Sequence, residues 1–183
     1  MQRDDRSASA APTMTEPSPV NELISEVTAG TGARLADPVE ARKKAMDYLA
    51  RREHSRDELR RKMEKAGFEM NATLDAIEQL QKDGLQSDRR FVDAFVQSRI
   101  SQGKGPTRIR ADLSQRGIHD PMIHEVLCET DADWIALAKT TRAKKFGGEK
   151  PLDFEGKARQ MRFLQYRGFE PEQIQAAVSA SDE

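Results

Sequence analysis

Residues 45–68 read AMDYLARREHSRDELRRKMEKAGF, two amphipathic helices followed by a stop. Ala45, Tyr48, Leu49 and Arg52 keep the i, i+3, i+4, i+7 rhythm of one helical face. Ser55 stands where an N-cap belongs, with Glu58 three residues on at capping-box spacing. Leu59, Met63 and Ala66 carry the second apolar stripe. Gly67 closes that helix, because the residue beyond a helix end commonly takes a positive φ, which glycine adopts without a Cβ clash. Phe68 then sits where an apolar side chain folds back onto the last turn.

The unit recurs. With the glycine as origin, Gly117 precedes Ile118 and Gly168 precedes Phe169, as Gly67 precedes Phe68. Met63, Leu113 and Leu164 lie four residues before the glycine, and Ile77, Leu127 and Val178 ten after it. Phe91 and Phe95 align with Ala41 and Ala45, so the register extends into the first helix. The glycines are 50 and 51 residues apart. A period of this size built only from helices marks a repeat array, in which each unit buries its apolar faces against its own helices and its neighbours. No run of β-branched or aromatic residues alternates over strand length, so no sheet is expected. The predicted fold is all-α, with three tandem three-helix repeats over 38–84, 85–130 and 131–183.

Local signals fill in the elements. Asn71–Lys82 reads as the third helix, with Leu74, Ile77 and Leu80 inward and Gly84 as its stop. Ser87 caps the next helix, carrying Phe91, Val92, Phe95 and Val96. Residues 103–106 read GKGP, and proline at the first helical position loses only an N–H that would be unpaired there. Ile109 and Leu113 line the helix that Gly117 stops, and Met122, Ile123, Val126 and Leu127 the one after it. Asp131 and Asp133 suit a helix N-terminus ahead of Trp134, Ile135 and Ala138. An insertion at 146–151, FGGEKP, separates the first two helices of the third repeat.

Composition bounds the function. Hydrophobic residues make 37%, charged residues 33% and aromatics 5%, which suits small helical bundles with wide solvated faces. Residues 1–37 are rich in Ser, Ala, Pro, Thr and acid without periodicity, the pattern of a disordered N-terminal extension. Met14 offers an alternative start. The net charge of −1 is uneven: residues 1–38 hold three basic and six acidic groups, leaving the repeats nearly balanced. Overall charge therefore gives no warrant for nucleic-acid binding. No apolar run approaches the ~20 residues of a membrane span, and MQRDDRSASA lacks a leader's hydrophobic core. A cytoplasmic monomer is the expectation.

Little in the sequence carries chemistry. The single Cys128 excludes an intramolecular disulfide and a multi-cysteine zinc site, and reads as a small core-facing residue. His119 and His124 are five apart, which a helix does not place together as metal ligands, and no HExxH occurs. Gly30-Thr-Gly32 and Gly103-Lys-Gly105 follow no strand and do not complete a phosphate loop. No carboxylates are marked out as a pair for acid–base work. No cofactor, no metal and no enzymatic activity are expected.

What stands out is a series of cations on the middle helix of each repeat: Arg56, Arg60 and Lys62; Lys104, Arg108, Arg110 and Arg116; Arg159, Arg162 and Arg167. For any one of them a solvated face balanced by Asp57, Glu58, Glu64 and Asp112 suffices. Recurrence on corresponding helices favours a cationic stripe able to follow an anionic polymer or an acidic groove. These ten are the candidate partner-binding residues.

LARREHSRDELRRKMEKAGF (49–68), DGLQSDRRFVDAFVQSRISQGKGPTRIRADLSQRGI (83–118) and RFLQYRGFEPEQI (162–174) resemble the RecX family of bacterial regulatory proteins. SRDEL, a GKGP loop followed by Ile-Arg-x-x-Leu, and RGF occur in family order and spacing over about 40–180. The resemblance implies an elongated, curved molecule of three three-helix units. It also implies binding to the RecA recombinase along the groove of its filament on single-stranded DNA. Inhibition of strand exchange, ATP hydrolysis and co-protease activity would follow, and with it modulation of recombination, DNA repair and the SOS response. The family brings no catalytic residues, and the N-terminal extension departs from its compact start. The alternatives from other classes are a helical repeat that binds single-stranded DNA directly and a plain scaffold for other partners.

Overall fold

The computed structural model describes residues 35–148, 151 and 153–179. The described residues form nine helices and no strand: α1 (Pro38–Leu49), α2 (Arg56–Lys65), α3 (Met70–Lys82), α4 (Asp88–Ser101), α5 (Pro106–Ser114), α6 (Asp120–Glu129), α7 (Trp134–Phe146), α8 (Phe154–Arg167) and α9 (Pro171–Ser179). They group by threes, each group having a first, a middle and a third helix. The extension expected over 1–37 falls almost entirely outside the described residues.

The middle helices end alike because one backbone motif is repeated. Phe68, Ile118 and Phe169 donate their N–H groups to the carbonyls of Met63, Leu113 and Leu164, five residues back. Gly67, Gly117 and Gly168 donate to Glu64, Ser114 and Gln165, three back. This is the Schellman pairing, and it requires the positive φ that all three glycines have, +88°, +77° and +88°. The starts are also read from side chains. Ser55, Ser87 and Asp133 accept from the N–H groups of Glu58, Arg90 and Ala136, and Pro106 opens α5 behind Gly105.

Each unit closes on its own core. Within every triplet the first and third helices pack together and the middle one braces them. Ala41, Ala45, Met63, Ala72, Ala76 and Leu80 form the first cluster, which Tyr48, Leu49 and Phe68 flank. The second is larger, with Phe91, Val92, Val96, Ile109 and Leu113 against Ile118, Ile123, Val126 and Leu127. Ala138, Leu164, Phe169, Ile174, Ala177 and Val178 make the third. The three clusters are separate, but Trp134 of α7 packs against the second, so an apolar contact as well as polar ones holds unit three to unit two.

Five side chains depart from the sequence reading. Arg52 lies beyond the end of α1 and is exposed, and Ala66, at the end of α2, is exposed too. Ile135 is 42% exposed, because α7 buries Ala138, Thr141 and Arg142 instead. Cys128 is exposed beside His124, one residue round the helix from buried Leu127. Glu58 does not close a capping box. Its carboxylate turns to Arg52, His54 and Arg116.

Candidate partner-binding surface

Two junctions join the units, and both are built from the end of one middle helix and the start of the preceding one. At the first, the Ser55 hydroxyl donates to the Arg116 carbonyl at 2.8 Å. Gly117 lies so close to Asp57 that a Cβ there would stand 2.5 Å from the Asp57 Cβ. At the second, the N–H of Gly105 donates to the Arg167 carbonyl (3.0 Å) and that of Thr107 to the Gly168 carbonyl (3.1 Å). Gly168 lies against the Arg108 backbone. The first turn of α2 thus receives the end of α5, and the first turn of α5 receives the end of α8. Orphan N–H groups and carbonyls of successive helices meet with complementary dipole ends.

The first junction is charged and partly buried. Glu58 receives Arg116 from unit two at 3.2 Å, Arg52 at 2.9 Å and the His54 ring at 3.0 Å. Burial alone would raise the Glu58 carboxyl, but hydrogen bonds from Arg52 and His54 outweigh it and hold the group below its ordinary range. Burial is also the main influence on His54. It keeps the imidazole below its usual value, although the Glu58 hydrogen bond opposes this. Arg116 and Arg99 both lie over the ring of Phe95, at 4.8 and 4.4 Å from its centroid. Phe95 thereby links the first junction to the second.

Of the ten candidate cations, four are committed to carboxylates. Arg60 pairs with Asp57 and Glu64, Arg108 with Asp112, Arg110 with Asp120, and Arg116 with Glu58. The other six have no carboxylate partner among the described residues. Lys62 lies over Tyr48, Arg159 over Phe146 and Arg167 over Phe163. Arg162 donates only to the Ala158 carbonyl of its own helix. Arg56 and Lys104 complete the six. Lys104 precedes α5, and Arg116 follows it.

Cations accumulate at the second junction. Arg99 and Arg108 hold the same carboxylate, Asp112, at 3.3 and 3.1 Å. Lys104 stands beside them and Arg167. Burial lowers its ammonium, and the charges of Arg167, Arg108 and Arg99 lower it further, while Asp112 offsets only part. Four cations thus face one carboxylate. Arg99 belongs to a first helix, so attention to middle helices passes over it. Beyond it, α8 presents Glu155, Arg159, Arg162 and Tyr166 as one exposed stripe at helical spacing, Tyr166 being 79% exposed. Arg56, Arg60 and Lys62 stand apart on unit one, and no ion pair among the described residues ties them to the junction cluster. The geometry suits binding of an anionic surface. Among the described residues no group of three or more His, Cys, Asp or Glu side chains could hold a metal, and no helix is long and apolar enough to cross a membrane.

Comparison with known proteins agrees with this division. Models for the first, second and third three-helix domains of RecX match residues 41–80, 87–127 and 131–178. The regulatory protein RecX of Halorhodospira halophila is 42% identical over 139 residues, covering 76% of this chain and 86% of that protein. The one from Pseudomonas entomophila is 41% identical over 150 residues, covering 82% and 97%. A crystal structure of RecX from Lactobacillus salivarius superposes with a TM-score of 0.66 at 20% identity, covering 78% of this chain and 94% of its own.

Proposed function

The chain belongs to the RecX family of regulatory proteins, and from that membership we propose that it binds the RecA recombinase filament on single-stranded DNA. Binding would inhibit strand exchange, ATP hydrolysis and co-protease activity, and so modulate recombination, DNA repair and the SOS response. The observation that carries this reading is the match of all three units, in order, to the family's three domains. The unpaired cations of units two and three support it as the contact surface. Three units joined end to end are able to touch several filament subunits at once, and linked weak contacts gain affinity through effective concentration. The site of action is the cytoplasm, and the protein acts without catalytic chemistry of its own.

The test is retention of the protein on recombinase filaments, with free recombinase and naked single-stranded DNA as controls, followed by titration of filament ATPase. A chain that spans several subunits inhibits at well below one copy per subunit. Inhibition that rises linearly and completes only at one-to-one would overturn the spanning arrangement. One observation favours a second reading, direct single-strand binding: Tyr166 is 79% exposed on the same stripe as Arg159 and Arg162. An aromatic ring among cations is what base stacking needs. Retention on naked DNA equal to that on filament would select this alternative.

A further inference from the structure

A small pocket of about 200 Å³ lies between units two and three and adjoins the Asp112 cluster through Arg167. The end of α4 supplies Gln102, α7 supplies Thr141, Lys144 and Lys145, and α8 supplies Phe163 and Arg167. Among the described residues no carboxylate lines it, whereas each of four larger pockets elsewhere carries at least one. Neither Lys144 nor Lys145 has an ion-pair partner among the described residues, although both stand in the last turn of α7. Arg167 is held in place: its guanidinium donates to the Gln102 carbonyl at 3.1 Å and lies 5.1 Å from the Phe163 ring centroid. The Thr141 hydroxyl has no hydrogen-bond partner among the described residues and is left to serve a ligand.

We propose that this pocket binds a phosphoryl oxyanion, with Lys144, Lys145 and Arg167 as its cations and Thr141 as a hydroxyl donor. Lys144 and Lys145, without carboxylate partners among the described residues, match the charge of about −1.5 to −2 that a phosphate monoester carries, and Arg167, shared with the Asp112 cluster, adds a third cation. The volume of about 200 Å³ admits a phosphate or a pyrophosphate group. Because α4 belongs to unit two and α7 and α8 to unit three, an occupant bridges the units. It would tighten the junction where the Arg167 carbonyl already accepts from Gly105. The source is either a free phosphoryl compound or the phosphate of a nucleic-acid strand, and the proposal does not depend on the recombinase reading.

The test uses the full chain at fixed ionic strength. Pyrophosphate is expected to raise the midpoint of thermal unfolding, and succinate is not. The Lys144→Ala/Lys145→Ala double variant should bind pyrophosphate at least about tenfold more weakly, each charge-assisted hydrogen bond being worth about a factor of ten. A Lys43→Ala/Lys65→Ala variant, with equal charge loss on unit one, should bind normally. A single-stranded oligonucleotide forms the second arm. Weakening of both ligands in the first variant assigns the pocket to strand phosphate, and weakening of pyrophosphate alone assigns it to a free phosphoryl compound. Failure of pyrophosphate to bind wild type, equal protection by succinate, or equal affinity in both variants would overturn the proposal.

Discussion

Six glycines among the described residues have positive φ, yet they are not equivalent, and the difference separates two costs of adding a Cβ. Gly84 faces open space, so Gly84→Ala meets only the backbone penalty, about 1 kcal/mol. Gly67 is similar, since a Cβ would find Leu35 at an ordinary 3.5 Å. At Gly168 the added carbon would overlap the backbone of Arg108, with its Cα at 2.8 Å, and backbone cannot rotate away as a side chain can. Gly168→Ala should therefore cost about 2–4 kcal/mol, strain and overpacking together. Gly105 has an ordinary φ of −82°, so its substitution isolates the second cost: a Cβ would strike the Gly168 carbonyl. Gly105→Ala should lose about 1–3 kcal/mol. Urea unfolding of the four variants checks the order, and equal losses at Gly84 and Gly168 would show that the junction yields without cost.

The segment joining α1 to α2 carries a pH dependence whose sign follows from His54. Its folded pKa lies below its ordinary value of 6.5, so below that value the unfolded chain binds more protons than the folded one. Stability is complete above about pH 6.5 and falls with pH until the folded pKa is reached. The slope cannot exceed about 1.4 kcal/mol per pH unit for one group. Glu58 acts in a separate, more acidic window: its contribution is present above its ordinary 4.5 and is lost as pH falls through its depressed folded value. Urea midpoints between pH 7 and pH 5 should fall for wild type and stay flatter for His54→Gln; identical profiles would exclude His54. None of this is legible in the sequence, where His54 and Glu58 are merely four apart on opposite sides of a cap. What is legible is local: the Ser55, Ser87 and Asp133 caps, Pro106, and the glycine stops depend on residues within one turn. The periodic apolar positions at Met63, Leu113 and Leu164 are likewise readable, and each is fully buried. The junctions depend on partners 54 to 65 residues away, such as Arg61 with the Gln115 carbonyl and Arg167 with the Gln102 carbonyl. Charge pattern does not encode such pairing, so Arg99, Lys144 and Lys145 carry no signal of their own.

Over the whole molecule the units are three small bodies with separate cores, which bears on how the cations act together. Removing Arg108, Arg110, Arg159 and Arg162 should weaken binding to recombinase filaments while leaving stability nearly intact. The Arg110–Asp120 pair, Arg159 and Arg162 are exposed, where ion pairs contribute a median of only about 0–1 kcal/mol, and Arg99 still holds the buried Asp112 once Arg108 is gone. The two halves of this variant should not be equal. Arg108 and Arg110 are already engaged by Asp112 and Asp120, so part of their field is neutralised inside the protein. Arg159 and Arg162 are exposed without carboxylate partners among the described residues, and their charge is available to a ligand. The Arg159→Ala/Arg162→Ala pair should therefore account for most of the fall in affinity. It should also account for most of the flattening of the salt dependence. On single-stranded nucleic acid the logarithmic slope falls by about 0.7 for each phosphate that is no longer neutralised. Pairing with acidic protein groups changes in the same direction without that fixed increment. Both pairs and the quadruple variant, measured against filament and naked strand across a salt series, separate the readings. Weakening on filament alone identifies a protein partner, equal weakening on both identifies direct strand binding, and no change on either reduces the cations to a solvated surface. A larger effect from the Arg108/Arg110 pair would mean that Asp112 and Asp120 release their arginines to the partner, and that the junction opens on binding.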